Sequence, residues 1–273
     1  MNPLDPRHIQ ISLQSCLIIH IACFLGRFSV IPLAILSTAS AAIIFLGFSH
    51  ILKLGSYDTR SSIISGLSIA IMLQVSSPLW IIVACFIAIA SKFIFRSQGS
   101  HFINPSNFAI SALLLLEAPC WLTLGSWNQS NNFLLLITLL AIPLLWKIKR
   151  MDLFISYALA YGSLTLLRNI ILENPWHIFL HHFFQGSHLI FALLMLTDPV
   201  ATPHSRFGRI VFSCIIASLA CYGQHILYIP DAPIYALFIG SFMTPIINKY
   251  LRGSPHQWQT KNLDMQAILS SQA

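Results

Sequence analysis

Ten blocks of mostly apolar residues, separated by charges, prolines and polar clusters, run along the chain. They cover residues 9–26, 30–52, 61–77, 79–97, 104–117, 131–147, 152–171, 185–198, 207–227 and 232–250. A helix needs about 20 predominantly apolar residues to cross a bilayer, and most of the blocks approach that length. The pattern predicts an all-α polytopic membrane protein with about ten transmembrane segments.

Three of the blocks are short and end at or near a proline. They are residues 61–77, 104–117 and 185–198, which run up to Pro78, Pro119 and Pro199. Short, proline-stopped apolar segments are typical of broken helices, which form sites near the bilayer midplane in many transport folds. We therefore expect some of the ten segments to be half-length helices.

The composition supports the membrane assignment. Of 273 residues, 56% are apolar and only 8% are charged, whereas soluble domains are about a quarter charged. The net charge of +7 comes from cations placed singly or in small groups between apolar blocks, without the basic stripe and interleaved aromatics of a nucleic-acid site. The expected environment is a lipid bilayer, and we expect no nucleic-acid partner.

The placement of Lys and Arg predicts the orientation. With ten segments and a cytoplasmic N-terminus, every Lys and Arg except Arg27 and Arg168 falls on the cytoplasmic side, as the positive-inside rule requires. Lys92 lies about one turn inside its helix and is expected to snorkel to that interface. We predict one membrane domain over residues 1–252 and a cytoplasmic C-terminal tail over residues 253–273.

The two halves of the chain resemble each other. The stretch from Gly66 to Pro78 parallels that from Gly186 to Pro199, and Asn104-Pro105 occupies the position that Asp231-Ala-Pro233 takes in the second half. These matches predict pseudo-repeats over residues 1–125 and 131–252. Because each repeat has five segments, the second copy must be inverted in the membrane.

Two polar motifs at the short segments are candidates for a binding site. Asn104 and Pro105 suit the start of a helix, and capping alone explains them. Asn107 lies inside the first turn, where free N–H groups could hold an anion or a polar ring edge. Asp198, in Thr197-Asp198-Pro199, could start a turn, bind a ligand edge, or pair with Arg60 or Arg206.

Two further features have a structural alternative. Ser65 and Gly66 could contribute to a site, but small residues also let membrane helices pack closely. His177, His181, His182 and His188 could bind a metal, yet no third ligand accompanies the His177–His181 pair, and histidines at the membrane interface are the favoured interpretation. We expect no metal site, and no catalytic motif is recognisable.

Four motifs, in order along the chain, resemble a known family. They are Arg60–Gly66, Phe102-Ile-Asn-Pro-Ser-Asn-Phe108, Leu196-Thr-Asp-Pro-Val200 and Ala236-Leu-Phe-Ile-Gly-Ser-Phe-Met-Thr-Pro-Ile246. The family includes the B subunit of the sodium-pumping NADH:quinone oxidoreductase and the D subunit of the Rnf complex. The opening Asp5-Pro-Arg-His and the short length are most similar to a stand-alone branch associated with enediyne biosynthesis.

The resemblance implies a urea-transporter-like fold and a flavin-linked electron-transport subunit of the bacterial inner membrane, with other membrane or flavoprotein subunits as partners and no enzymatic activity of its own. Larger family members carry FMN on a threonine, but residues 118–132 lack that motif, so covalent attachment is not expected. We therefore expect the chain to bind FMN or riboflavin non-covalently, or to relay electrons across the inner membrane. The residues predicted to bind it are Ser65, Gly66, Asn104, Pro105, Asn107, Thr197, Asp198 and Pro199. The alternatives are a channel or carrier for a small solute, and a non-redox scaffold subunit.

Overall fold

The computed structural model describes residues 5–53, 58–97, 99–123 and 131–256, without the side chains of 131–136 and 187. In this part of the chain, most residues are helical. The helices are α1 (Pro6–Phe24), α2 (Val30–Ile51), α3 (Arg60–Met72), α4 (Leu79–Ile94), α5 (Pro105–Leu115), α6 (Asn131–Lys147), α7 (Met151–Ile171), α8 (Trp176–Phe183), α9 (Gly186–Ile190, continued by a π-helical turn over Phe191–Met195), α10 (Arg206–His225), α11 (Ala232–Ser241) and α12 (Thr244–Tyr250). The strands are β1 (Leu73–Val75), β2 (Arg96–Ser97), β3 (Ser100–His101) and β4 (Cys120–Leu122).

Three helices are long and apolar enough to cross a membrane, namely α2, α7 and α10. A fourth candidate span consists of α8 and the following helix, which meet at a bend of 48°. Shorter apolar helices include α3, α4, α5 and α11. The prediction of a helical, multi-pass membrane protein is confirmed in this form. These helix lengths support three spans, or four with the bent pair, and the count of ten spans stays a prediction.

The short helices end in extended chain, as the proline stops indicated. After α3 and α5, strands β1 and β4 pair antiparallel, with Gln74 opposite Trp121. Away from water, each backbone N–H and C=O needs a partner within the protein, and the two broken segments supply partners for each other. The all-α expectation therefore needs a correction, since this pair and the β2–β3 pair are short β-structure.

The neighbours of each helix follow a similar order in the two halves. In the first, α2 packs against α3 and α4, and α4 packs against α5. In the second, α7 packs against α8 and α10, and α10 packs against α11. Helix α8 was missed by the sequence analysis, because its eight residues are too few to form a distinct apolar block.

Burial separates the long helices from the broken ones. Every residue from Leu67 to Met72 in α3 and from Phe191 to Met195 after α9 is buried. The long helix α2 instead leaves large apolar side chains such as Ile35 and Ile43 more than 60% exposed. An apolar surface of this kind suits contact with lipid, so the broken helices form the interior of the molecule.

Candidate functional site

A small cavity, here called the Asn104–Asp198 cavity, lies where the first turns of α3 and α5 meet the chain after α9. Five of the predicted binding residues line it: Ser65, Asn104, Pro105, Asp198 and Pro199. Further polar residues line it as well, namely Arg7, Gln10, Ser61, Ser68, His101 and Ser106. Its volume is about 30 Å³. The fold therefore brings together two motifs that are far apart in the sequence, around a space the size of a water molecule.

Asn104 connects the two motifs through its side-chain amide. Its Oδ1 accepts hydrogen bonds from the backbone N–H of Asn107 at 3.0 Å and from the Ser106 hydroxyl at 2.8 Å. Its Nδ2 donates to the Met195 carbonyl at 3.1 Å and lies 3.4 Å from Asp198 Oδ2. Asn104 thus caps α5, as the sequence indicated, and also holds α5 to the end of the π-helical turn.

Three predicted residues lie near the cavity without lining it. Asn107 is fully buried, and its Nδ2 donates to the Ile234 carbonyl at 3.2 Å, which connects α5 to α11. Its Oδ1 has no hydrogen-bond partner among the described residues. The Thr197 hydroxyl donates to the Leu193 carbonyl at 2.6 Å, and Gly66 packs against the backbone of Ser37 in α2. Their roles in binding stay a prediction.

Asp198 does not pair with either arginine that the sequence suggested. Its Oδ1 accepts a hydrogen bond from the backbone N–H of Val200 at 3.0 Å, which makes a local turn. The suggested pairing was wrong. Arg60 at the start of α3 pairs with Asp5 and Asp58 instead, and Arg206 is exposed at the start of α10 and forms no ion pair with a described carboxylate.

A closed ring of four charges borders the cavity. Arg7 contacts Asp5 and Asp58, both at 2.6 Å, and Arg60 contacts the same two carboxylates at 2.9 Å and 2.7 Å. Arg7 is only 4% exposed, whereas the charge pattern of the sequence predicted only that it lies on the cytoplasmic side. A signal was present in the repeated Asp-X-Arg pattern of Asp5-Pro-Arg7 and Asp58-Thr-Arg60.

Lys92 is a second buried cation near this site. Its Nζ donates to the carbonyl of Ser61 at 2.8 Å and to the Ser61 hydroxyl at 3.0 Å. The side chain is buried against the first turn of α3. Its snorkelling to the membrane interface stays a prediction.

A larger cavity, here called the His188–His225 cavity, lies between α8, α9, α10 and the start of α11. Its volume is about 360 Å³. Histidine, glutamine and aromatic side chains line it, namely His181, His182, His188, His225, Gln185, Gln224, Phe191 and Tyr228. Three of these histidines belong to the cluster noted in the sequence. Among the described residues, no three His, Cys, Asp or Glu side chains are arranged to hold a metal ion.

Aromatic stacking and hydrogen bonds organise the wall of this second cavity. The His188 ring lies 4.2 Å from the Tyr161 ring and 5.5 Å from the Tyr157 ring. The Tyr161 hydroxyl donates to Gln224 Oε1 at 2.7 Å. The buried Nε2 of His225 has no partner among the described residues, so the wall offers one unsatisfied ring nitrogen.

The stretch that corresponds to the family's covalent flavin site is described only in part. Thr123 is buried, and its hydroxyl donates to the Met72 carbonyl at 3.0 Å. Residues 124–130 lie outside the described part of the chain. The Thr123 hydroxyl is thus engaged in joining β4 to the end of α3.

Comparison with known proteins settles the family. A family model described as the NQR2, RnfD, RnfE family matches residues 119–256, which is half of the chain. The chain belongs to this family. The match includes Asp198 and the whole lining of the His188–His225 cavity apart from Met72, whereas Ser65 and Asn104 precede it.

Two similar curated proteins have the same name. The D subunit of the ion-translocating oxidoreductase complex of Stutzerimonas stutzeri is 29% identical over 132 residues, which is 47% of this chain and 36% of the relative. The D subunit of the same complex in Yersinia pestis is 27% identical over 129 residues, or 45% and 35% of the two chains. The chain thus spans about a third of the length of these relatives.

Proposed function

We propose that this chain is a membrane subunit of a redox complex in the bacterial inner membrane, that other membrane or flavoprotein subunits are its partners, and that it binds a flavin non-covalently. Its family membership and the relatives' name, the D subunit of an ion-translocating oxidoreductase complex, support the redox assignment. The proposal includes two inverted five-helix repeats in a urea-transporter-like arrangement. The similar packing order of α2–α5 and of α7–α11 supports that architecture.

One observation carries the proposal. Two motifs of the family resemblance, Asn104-Pro-Ser-Asn107 and Thr197-Asp198-Pro199, meet at hydrogen-bonding distance although 94 residues separate Asn104 from Asp198. They meet where broken helices end, which is where membrane proteins of this kind place ligand sites. This contact joins two of the short motifs on which the resemblance to the family rests.

The volumes of the two cavities support one of them as the place for a flavin ring. The amides and hydroxyls of the Asn104–Asp198 cavity suit the polar edge of an isoalloxazine ring, but about 30 Å³ does not admit the ring unless the broken helices separate. The His188–His225 cavity, at about 360 Å³, falls within the range of about 300–1,000 Å³ of small-molecule sites. We therefore place the proposed flavin in the His188–His225 cavity.

The residues that line the His188–His225 cavity suit both the flat face and the polar edge of an isoalloxazine ring. Phe191 and His188 offer flat surfaces, and the amides of Gln185 and Gln224 offer donors and acceptors for ring heteroatoms. A bound flavin supplies one- and two-electron transfer, while the protein sets its position and polarity. The unsatisfied Nε2 of His225 provides a further hydrogen-bonding group at the wall.

Purified full-length protein tests the proposal. We expect protein from flavin-replete cells to carry a yellow chromophore that acid or heat releases as unmodified flavin. Gln185→Trp should fill part of the His188–His225 cavity and lower the flavin content of the folded protein. Ser218→Trp introduces the same side chain on the exposed side of α10 and should leave the flavin content unchanged.

Two results would change the conclusion. If Asp198→Ala and Asn107→Ala release flavin while Gln185→Trp retains it, the ring lies at the site predicted from the sequence. A colourless wild-type protein would overturn flavin binding. It would leave the small Asn104–Asp198 cavity as the candidate site of a channel or carrier for a small solute.

A further inference from the structure

A third cavity combines an unusual density of cations with a position at the end of two membrane spans. Its volume is about 440 Å³, and it lies between the end of α6, the start of α7, the start of α10 and residues 254–256. Five cationic side chains line it: Lys147, Lys149, Arg150, Arg206 and Arg209. We call it the basic cavity.

The basic cavity has little negative charge of its own. Among the described carboxylates, Asp152 is the one that pairs with a lining residue, and it contacts Arg209 at 2.6 Å. Lys149 and Arg206 are both exposed, and no described carboxylate lies within ion-pair distance of either. The described carboxylates do not neutralise Lys149 and Arg206. Both charges are therefore available to attract an anion that enters the cavity.

Arg150 is the strongest indication that the cavity is built for an anion. Its side chain is only 5% exposed, and its guanidinium donates to neutral acceptors, namely the Pro199 carbonyl at 2.9 Å and the Thr202 hydroxyl at 3.3 Å. Burial lowers the pKa of Arg150 to about 10, and the charge of Arg209 acts in the same direction, so the group stays protonated at neutral pH. The charges of Asp152 and Asp198 act in the opposite direction, but no described carboxylate forms an ion pair with Arg150. Burying a cation is costly, and a bound anion would offset part of that cost.

The basic cavity lies at the ends of candidate membrane spans. Helices α7 and α10 are both candidate spans, and both begin beside it. The aromatic side chains Trp146, Phe207 and Tyr250 lie at the same helix ends and are more than 60% exposed. Exposed Trp and Tyr next to cations are typical of the level of lipid headgroups.

We propose that the basic cavity binds a phosphate-bearing anion, with the headgroup of an anionic phospholipid as its principal source. Guanidinium groups bind phosphate through charge-assisted hydrogen bonds, and basic pockets at the ends of membrane helices bind anionic headgroups. The basic cavity shares no lining residue with either cavity discussed for the redox function, so the proposal does not require that a flavin binds.

Lipid titration of the delipidated full-length protein in detergent tests this site. The three probes are phosphatidylglycerol, phosphatidylcholine and inorganic phosphate, with binding followed by native mass spectrometry and thermal unfolding. We expect phosphatidylglycerol to bind more tightly than phosphatidylcholine, and added salt to weaken it. Lys149→Gln and Arg206→Gln should each weaken binding about five-fold, the effect of one interfacial cation.

Arg168→Gln is the matched control, because it removes the same charge from the opposite end of α7. It should leave lipid binding unchanged. Protection by inorganic phosphate without lipid binding, lost in Arg206→Gln, would assign the same site to a soluble phosphate compound. Equal binding of both lipids with no effect of phosphate, or equal weakening by Arg168→Gln, would overturn the proposal.

Discussion

Asn104 shows how one side chain serves both local structure and a long-range contact. Its oxygen satisfies the free N–H of Asn107 in the first turn of α5, and its nitrogen binds the Met195 carbonyl in the second half of the chain. The sequence presented capping and function as alternatives. The structure shows that the two ends of the amide make different contacts: the oxygen caps α5, and the nitrogen joins α5 to the end of the π-helical turn.

The charge ring makes the stability of the α1–α3 junction depend on pH. Burial alone would raise the pKa of Asp58, but hydrogen bonds from Arg60 and the charges of Arg7 and Arg60 outweigh it and lower the pKa to about 2. The pKa of Asp5 is also lowered, because its contacts with Arg7 and Arg60 outweigh its burial. Both carboxylates are therefore stabilised as anions in the folded protein.

This depression predicts an acid-dependent loss of stability. The contribution of Asp58 is complete above its unfolded pKa of about 3.9 and is lost as the pH falls toward 2, since the folded pKa is the lower one. Thermal unfolding of the purified protein between pH 6 and pH 2 should show the loss. Asp58→Asn should unfold at a lower temperature at pH 6 and change less between pH 4 and pH 2. An identical pH profile for both proteins would contradict the role of the ring.

At the scale of elements, close packing of α3 against α2 depends on Gly66. The Ser37 hydroxyl donates to the Gly66 carbonyl at 2.8 Å. A Cβ at position 66 would lie 2.9 Å from the Ser37 carbonyl oxygen and 3.0 Å from the Thr38 Cα. These are backbone atoms, which cannot rotate away, so only glycine lets the two helices approach this closely.

Gly66→Ala should therefore destabilise the protein by about 1–3 kcal/mol, the usual cost of overpacking, measured as a lower unfolding temperature in detergent. Gly47→Ala is the control within α2, because a Cβ there meets nothing within 4 Å. That variant should be neutral or slightly stabilising, since alanine favours helix more than glycine does. Equal effects of the two changes would indicate that α2 and α3 are less tightly joined.

For the whole molecule, the number of crossings determines which loops share a side of the membrane. With ten segments and a cytoplasmic N-terminus, the chain after α2 and after α6 faces the cytoplasm, whereas the chain after α7 and after α10 faces outward. An exposed residue lies two or three positions after the end of each of these helices. These residues are Lys53, Lys149, Glu173 and Tyr228. They are suitable positions for chemical labelling.

We expect an impermeant thiol reagent on intact cells to label Glu173→Cys and Tyr228→Cys in a background without the six native cysteines. Lys53→Cys and Lys149→Cys should react only after the cells are opened. Labelling of Lys53→Cys together with protection of Lys149→Cys would place the two positions on opposite sides of the membrane, which requires an odd number of crossings between them instead of the expected even number. That result would contradict the inverted repeat.

The start and end of most helices could be predicted because they depend on local chemistry. Asn104-Pro105 begins α5, and the predicted block over residues 131–147 coincides with α6. The helix α8 and the paired strands β1 and β4 could not be predicted in this way. Short elements of this kind exist because neighbouring segments satisfy their backbone groups, and no local pattern records those neighbours.

The sequence by itself determined that the chain is a helical membrane protein with broken segments, since apolar length and proline stops act within one segment. Only the tertiary structure decided which polar groups meet. In the fold, Asn104 contacts Asp198, and Arg60 pairs with Asp5 and Asp58. Lys92 and Arg150 are buried. The His188–His225 cavity is about ten times larger than the Asn104–Asp198 cavity. Contacts and volumes of this kind depend on the packing of distant helices, which the order of residues specifies only through the complete fold.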